Sequence, residues 1–320
     1  MEQEKTRVGL ARNGNRRDNV FKALDLVRRD VEAKLQAQVL IKPNFLSAEN
    51  QLASTHVDAI RGTIDFLMST PKPPQEILIA EGGNGDCSGA AFENFGYHAL
   101  KEEYEVPIQL VDLNREERWE ETTVFDAERR ETVVRMPKTV LECPCTISVA
   151  VAKTHDVCCV TLAQKNMIMG TLCKDDRIKM HGCCSHAERT LPNEAQRLNV
   201  NLIRLSQYLR PDIAVIDGTV GLEGNGPLGT EAVDWGVAVA SADVFAADAV
   251  TAAGMGFEPM ELGLLHYADT LGYGTADLER IEVCGTPIAA VRRSFKRHET
   301  TDLQLQWQDE RAGEFLPAGV

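Results

Sequence analysis

The stretch 145–152, Cys-Thr-Ile-Ser-Val-Ala-Val-Ala, is apolar along nearly its whole length and does not alternate. A strand made from it is covered on both faces, which demands helices on two sides and further strands beside it. The rest of the chain supplies both. Apolar runs at 5–11, 38–41, 76–80, 107–112, 212–216, 237–240 and 281–284 read as strands. Between them, segments at 18–35, 55–69, 88–104, 159–172, 193–210, 243–254 and 260–270 read as helices. This alternation predicts an α/β protein with a mostly parallel sheet and helices on both faces. Residues 122–136 read as a two-stranded antiparallel excursion, and Thr55-His56-Val57-Asp58 as a capping box opening the second helix. In 320 residues one or two domains are expected. A division is expected near residue 150, with an α/β Rossmann-like half at 1–150 and a second α/β half at 151–320 carrying a Lys/His-rich segment.

Charge narrows the partners. Lys and Arg number 34 against 48 Asp and Glu, a net −14. That field repels nucleic-acid phosphates and anionic lipid, and no basic stripe overrides it, so neither nucleic acid nor membrane is an expected partner. A local basic pocket for a small anion stays compatible with the total, because clefts focus nearby charge. No apolar run reaches 18 residues, and the first 19 residues are charged, so a cytoplasmic protein with reduced thiols is expected. The nine cysteines, at 87, 143, 145, 158, 159, 173, 183, 184 and 284, include no CxxC pair. They read as small buried or surface thiols, with a metal or iron–sulfur site assembled from the 143–184 region as the alternative.

Ligands of open parallel sheets bind beyond the carboxyl ends of the strands. Here the strands end in Lys42-Pro43-Asn44, Glu81-Gly82-Gly83, Lys153-Thr154-His155 and Asp217-Gly218. Each alone reads as a turn or cap; four together point to one crevice. The densest chemistry lies between Lys153 and His181, where Lys153, His155, Lys165, Asn166, Lys174, Arg177, Lys179 and His181 gather in an acidic chain. Lysine and arginine suit carboxylate or phosphate, and histidine suits proton transfer or metal ligation. Lys165 sits in an apolar helical pattern, either as a desolvated, nucleophilic amine or as a snorkelling surface lysine. Gly224-Asn225-Gly226-Pro227-Leu228-Gly229 has the letters of a dinucleotide loop, but a strand follows it rather than a helix. The Glu81-Gly82-Gly83-Asn84-Gly85 loop follows a strand and precedes a helix, and reads as an anion cradle or a tight turn. His56 reads mainly as a helix-start residue, and His186 as an outside candidate for a metal site with Cys183 and Cys184. His98, His266 and His298 read as ordinary surface or helix residues. No Walker A motif and no GxSxG elbow occurs.

Several of these motifs, in this order, resemble the domain-of-unknown-function 362 family over about residues 38–286. They are Ile41-Lys42-Pro43-Asn44, Glu81-Gly82 with Phe95-Gly96-Tyr97, Lys153-Thr154-His155, Lys165-Asn166, His181, and Ile216-Asp217-Gly218 through Pro227. The resemblance implies no reaction. Some members carry a ferredoxin-like cysteine run, which is absent here. His155, Lys165 and His181, spaced ten and sixteen apart, are similar to a histidine, lysine and histidine of the lactate racemase family, which uses a nickel-pincer nucleotide. That similarity implies Lys165 as a covalent anchor and His181 as a metal ligand with His155 nearby, although Gln164 and Asn166 replace the glycines that flank that family's lysine.

The combined expectation is an enzyme acting on a small carboxylate or phosphate by metal- or cofactor-assisted proton or hydride transfer. Lys165, His155, Glu81 and Asp217 are the catalytic candidates. Lys42, Asn44, Lys153, Asn166 and Arg177 are the substrate-binding candidates. His181 and His155 are the metal candidates, for nickel, zinc or iron. An iron–sulfur or thiol redox protein and a non-catalytic ligand-binding protein are the competing readings.

Overall fold

The computed structural model describes residues 5–84 and 87–319. Its strands are β1 (Thr6–Arg12), β2 (Gln38–Lys42), β3 (Glu76–Glu81), β4 (Ile108–Asp112), β5 (Trp119–Phe125), β6 (Glu131–Pro137), β7 (Thr146–Thr154), β8 (Val160–Thr161), β9 (Ile213–Glu223), β10 (Glu231–Ser241) and β11 (Ile281–Gly285). Every residue of β7 is buried, as its unbroken apolar sequence requires. It lies inside a nine-stranded sheet ordered β11-β1-β10-β9-β7-β2-β3-β4, with short β8 also paired to β7. Neighbours run parallel except at β10, which is antiparallel to β9 and β1, and at β8. Strands from before and after residue 150 interleave: β2 lies beside β7, and β1 sits between β10 and β11. The separate β5–β6 pair forms the antiparallel excursion expected at 122–136.

Each sheet face carries its own core. On one side Val20, Ile60 and Ile64 from the helices Arg16–Leu26 and Val57–Met68 cover Ile41, Ile79, Ile147 and Val215. On the other, Ile168, Leu198, Leu202 and Val250 from the helices Ala163–Met169, Asn193–Leu205 and Val244–Gly254 cover Leu40, Ala150 and Ile216.

Local structure departs from the periodicity where tertiary contacts win. The 18–35 segment is two helices, Arg16–Leu26 and Arg28–Glu32, broken at Val27. The 88–104 segment is interrupted at Gly96, whose φ of 75° is left-handed. The 212–216 strand continues to Glu223, so Asp217-Gly218 lies inside β9 rather than at its end. The reason is steric. A Cβ at Gly218 would come 2.6 Å from the Trp235 ring, so this glycine admits a cross-strand tryptophan instead of ending a strand. Residues 159–162 are not helical: Val160 and Thr161 pair with Thr154 and Lys153, and the helix starts at Ala163. The capping residue is His56, whose Nδ1 accepts the Asp58 N–H at 3.1 Å. Thr55 instead donates its hydroxyl to the Val149 carbonyl at 2.8 Å, tying the loop to β7.

Candidate functional site

A cleft of about 740 Å³ opens beyond the carboxyl ends of β2, β3 and β7, where the sheet rule places ligands. Its base is an ion pair. Lys42, at the end of β2, is completely buried, and its Nζ donates to Glu81 Oε2 at 2.5 Å, Pro43 O at 2.8 Å and Asn166 Oδ1 at 2.9 Å. All three ammonium hydrogens are thereby used. Burial lowers the Lys42 pKa and raises that of Glu81, and their mutual attraction opposes both shifts. Asn166 Nδ2 donates onward to Ser148 Oγ at 2.9 Å, locking the arrangement to β7. A Cβ at Gly170 would overlap Lys42 Nζ and come 2.8 Å from Glu81 Oε1, so glycine there lets the helix end lie on the pair. Arg177 braces the same corner, donating to Gly83 O at 3.1 Å, Leu172 O at 3.0 Å and Asn114 Oδ1 at 3.1 Å.

Two further buried lysines face the cleft in different states. Lys153, also fully buried, donates to Asn44 Oδ1 and to Ala53 O at 2.8 Å, both uncharged acceptors. Burial first, then the charges of Lys165 and Lys42, bring its pKa from 10.5 down to about 7. Lys165 is only 7% exposed and makes no hydrogen bond or ion pair among the described residues. It is therefore no snorkelling surface lysine. Its helix is fixed by Asp248 of the Val244–Gly254 helix, whose two carboxylate oxygens accept Ala163 N–H at 2.8 Å and Gln164 N–H at 3.1 Å. Burial outweighs those bonds and raises the Asp248 pKa to about 7. Thr161, on the cleft wall, has a buried hydroxyl with no hydrogen-bond partner among the described residues.

The two histidines are joined by a relay that the sequence did not reveal. His181 Nδ1 and Glu194 Oε1 are 2.6 Å apart, which fixes the proton on Nδ1 and leaves a lone pair on Nε2. Glu194 Oε1 also accepts Arg189 Nε at 2.5 Å, and Arg189 Nη2 donates to Asp156 Oδ2 at 2.8 Å. His155 Nδ1 accepts the Val157 N–H at 2.9 Å, so the neutral ring carries its proton on Nε2. Asp156 Oδ1 stands 3.0 Å from the same Nδ1 and receives a proton there only from the other tautomer or a charged ring. Burial, followed by Lys165, His181, Arg189 and Lys153, holds His155 well below the usual histidine range. Burial also lowers His181, against the pull of Glu194. The cleft thus offers one imidazole N–H and one imidazole lone pair.

Of the expected residues, Lys42, Asn44, Glu81, Lys153, His155, Lys165, Asn166, Arg177 and His181 come together at this cleft or directly beneath it. Asp217 does not join them. It lies within β9 and accepts from Arg16 Nε at 2.7 Å and Thr219 N at 2.9 Å, away from the cleft lining. The Gly224–Gly229 letters form the β9–β10 turn, and Asn225 to Leu228 wall the cleft mouth beside His186 and His298. Gly85 lies outside the described residues. Asp156, Thr161, Arg189, Glu194 and Asp248 were not anticipated. Only Asp248 left a signal, as the lone acid in an otherwise apolar helix.

The donor set bears on a metal. Among the described residues, no three of His, Cys, Asp or Glu are grouped to hold one. Burial raises the thiol pKa of Cys145, Cys158 and Cys159 to about 12, which disfavours the thiolate that ligation needs. His181 Nε2 and the bare Lys165 amine are the two atoms that a nickel-pincer nucleotide, implied by resemblance, would use.

Comparison with known proteins adds three findings. Residues 39–253 match the profile of a family described as a domain of unknown function (DUF362). Over 237 residues the chain is 24% identical to thylakoid-associated protein sll1697 of Synechocystis sp., a stretch covering 73% of this chain and 68% of that protein. Among solved structures, the lactate racemase apoprotein from Thermoanaerobacterium thermosaccharolyticum matches with a TM-score of 0.44 at 14% identity, over 67% of this chain and 50% of that one.

Proposed function

We propose that this chain, which belongs to the family described as a domain of unknown function (DUF362), is an acid–base enzyme for a small carboxylate- or phosphate-bearing substrate. One observation carries the reading: Lys153 and Lys165 are both more than nine-tenths buried at one cleft, and neither has an acidic ion-pair partner among the described residues. Burying ammonium groups without a counter-charge is costly, and a bound anion is the natural remedy. The substrate anion lies between these two amines, with Asn44 holding Lys153. His181, oriented by Glu194, takes a proton from the carbon or oxygen next to the anionic group through Nε2. The Nε2–H of His155 donates to the oxygen on which charge develops. Lys42, Glu81, Asn166 and Arg177 form the rigid frame.

A nickel-pincer nucleotide would be held by Lys165 and His181 Nε2, and its metal would polarise a substrate oxygen. The chain's net charge of −14 supports a partner that is a small molecule rather than nucleic acid or anionic lipid. No helix among the described residues is long and apolar enough to cross a membrane. A cytoplasmic location is part of the proposal, and fractionation that finds the protein with membranes would remove that part.

Calorimetric titration of oxalate and inorganic phosphate tests the reading. Binding that is lost in Lys153→Met, followed by His181-dependent exchange of deuterium from solvent into 2-hydroxy acids, is the expected result. An absence of anion binding to the wild-type protein would sink the reading.

A further inference from the structure

Three buried lysines at or beneath one cleft are held in three ways, and the contrast is informative. Lys42 spends its three hydrogens on Glu81, Pro43 O and Asn166. Lys153 spends two on Asn44 Oδ1 and Ala53 O and keeps one for the cleft. Lys165 spends none on any described residue, although its helix is anchored at two backbone N–H groups by Asp248. The backbone just before Lys165 is fixed while its nitrogen is tethered to no described residue, which leaves the amine free to meet an electrophile in the cleft. After burial, the charge of Lys165 helps hold Lys153, His155 and His181 below their usual values, which places it among the groups of the same cleft. Thr161, whose hydroxyl has no hydrogen-bond partner among the described residues, lies on the same wall, four residues earlier in the chain.

We propose that Lys165 captures the carbonyl carbon of a 2-oxo acid as an imine while Lys153 holds the acid's carboxylate. The inference rests on the anion-cleft reading above and takes Lys165 free of any cofactor. The ammonium of Lys165 first gives one proton to His181 Nε2. The amine nitrogen then attacks the carbonyl carbon, and a proton moves from nitrogen to oxygen, giving a carbinolamine. His181 returns its proton to the carbinolamine hydroxyl, the C–O bond breaks, and water leaves. The product is a protonated imine, so an ammonium and a carbonyl become an iminium and one water with no change in charge. The iminium then acts as the electron sink for proton removal next to it, a task for which no external oxidant or reductant is needed.

The test is reductive trapping. Wild-type protein is incubated near neutral pH with pyruvate and sodium cyanoborohydride, then mapped by intact-mass and peptide mass spectrometry. The expected result is a single reduced pyruvate adduct, at Lys165. Acetone, a ketone with a methyl group in place of the carboxylate, should label at least about tenfold more slowly, the loss of one charge-assisted contact. Oxalate should suppress the labelling of wild-type protein, a control that does not depend on a variant folding. Lys165→Arg, if folded by circular dichroism, should take up no adduct. Adducts scattered over exposed lysines, or a Lys165 that already carries a covalent group as purified, would overturn the proposal. No labelling while oxalate binds would overturn the imine and leave the anion cleft standing. Failure of wild-type protein to bind oxalate or phosphate would remove the cleft reading itself, a distinct outcome.

Discussion

The charge of Lys153 is controlled by its surroundings, because burial and two neighbouring cations bring it from 10.5 down to about 7. Anion affinity should therefore be greatest below pH 7. Above it, affinity should fall by up to about tenfold per pH unit as the ammonium is lost, and calorimetric titration of oxalate between pH 6 and 9 measures the slope. Lys153→Met should bind weakly and nearly without pH dependence in that window. The same shift acts on stability with a definite sign. Between about pH 7 and 10.5 the unfolded chain holds the Lys153 proton and the folded chain does not, so this residue's contribution to stability rises with pH across that interval. The Lys42–Glu81 pair behaves as a unit. Lys42→Met alone leaves Glu81 buried and unpaired and should cost about 3–5 kcal/mol, whereas Lys42→Met with Glu81→Gln should cost distinctly less than the two single changes summed. Chemical denaturation of the three variants decides it; additive losses would show that the two groups are not coupled.

The short helix Ala163–Met169 places Lys165 and Asn166, and it is held from outside by a carboxylate on another helix. Asp248→Ala should cost about 1–2 kcal/mol for the lost cap, with a similar amount for two donors left unmet in the interior. Amide hydrogen exchange at 163–169 should accelerate while exchange in β7 stays slow; unchanged protection of the helix would refute the anchoring role. Such an anchor shows why only part of the site was legible in the sequence. The strand ends Lys42-Pro43-Asn44, Glu81-Gly82 and Lys153-Thr154-His155 were readable because apolar runs of one sheet stop where polar residues begin, and parallel strands bring those stops to one edge. Asp217-Gly218 carried the same local pattern, but the glycine served Trp235 and the strand ran on. Partnerships such as His181 with Glu194, or Ala163 with Asp248, link residues 13 and 85 positions apart through helix packing. No local period records such a distance. The start of the 159–172 segment was misread for a related reason: β8 exists only because β7 is there to pair with.

At the scale of the molecule, the C-terminal segment acts as a strap across the sheet's carboxyl-end side. Gln304 Oε1 accepts the Cys159 N–H at 2.5 Å beside the His155 turn, and Thr300 Oγ1 donates to Asp156 O at 3.2 Å. Trp307 Nε1 donates to Glu261 O at 2.6 Å, and buried Asp309 pairs with Arg129 and Arg197. Phe315 stacks edge-on with Phe125 of β5, their centroids 4.9 Å apart. Truncation after Arg297 should therefore lower the melting temperature by roughly 5 °C or more and weaken anion binding, since the turn bearing His155 and Asp156 loses its cover. Retained affinity with an unchanged melting temperature would show the strap to be ornamental. The position of β1 has a different consequence. Residues 6–12 find their partners only in β10 and β11, more than 200 positions later. On the ribosome this segment must wait, without its strand partners, until β10 and β11 have been synthesised. Throughout that interval the nascent chain carries a strand with no neighbour, an edge for a chaperone to shield until β10 and β11 arrive on either side of it.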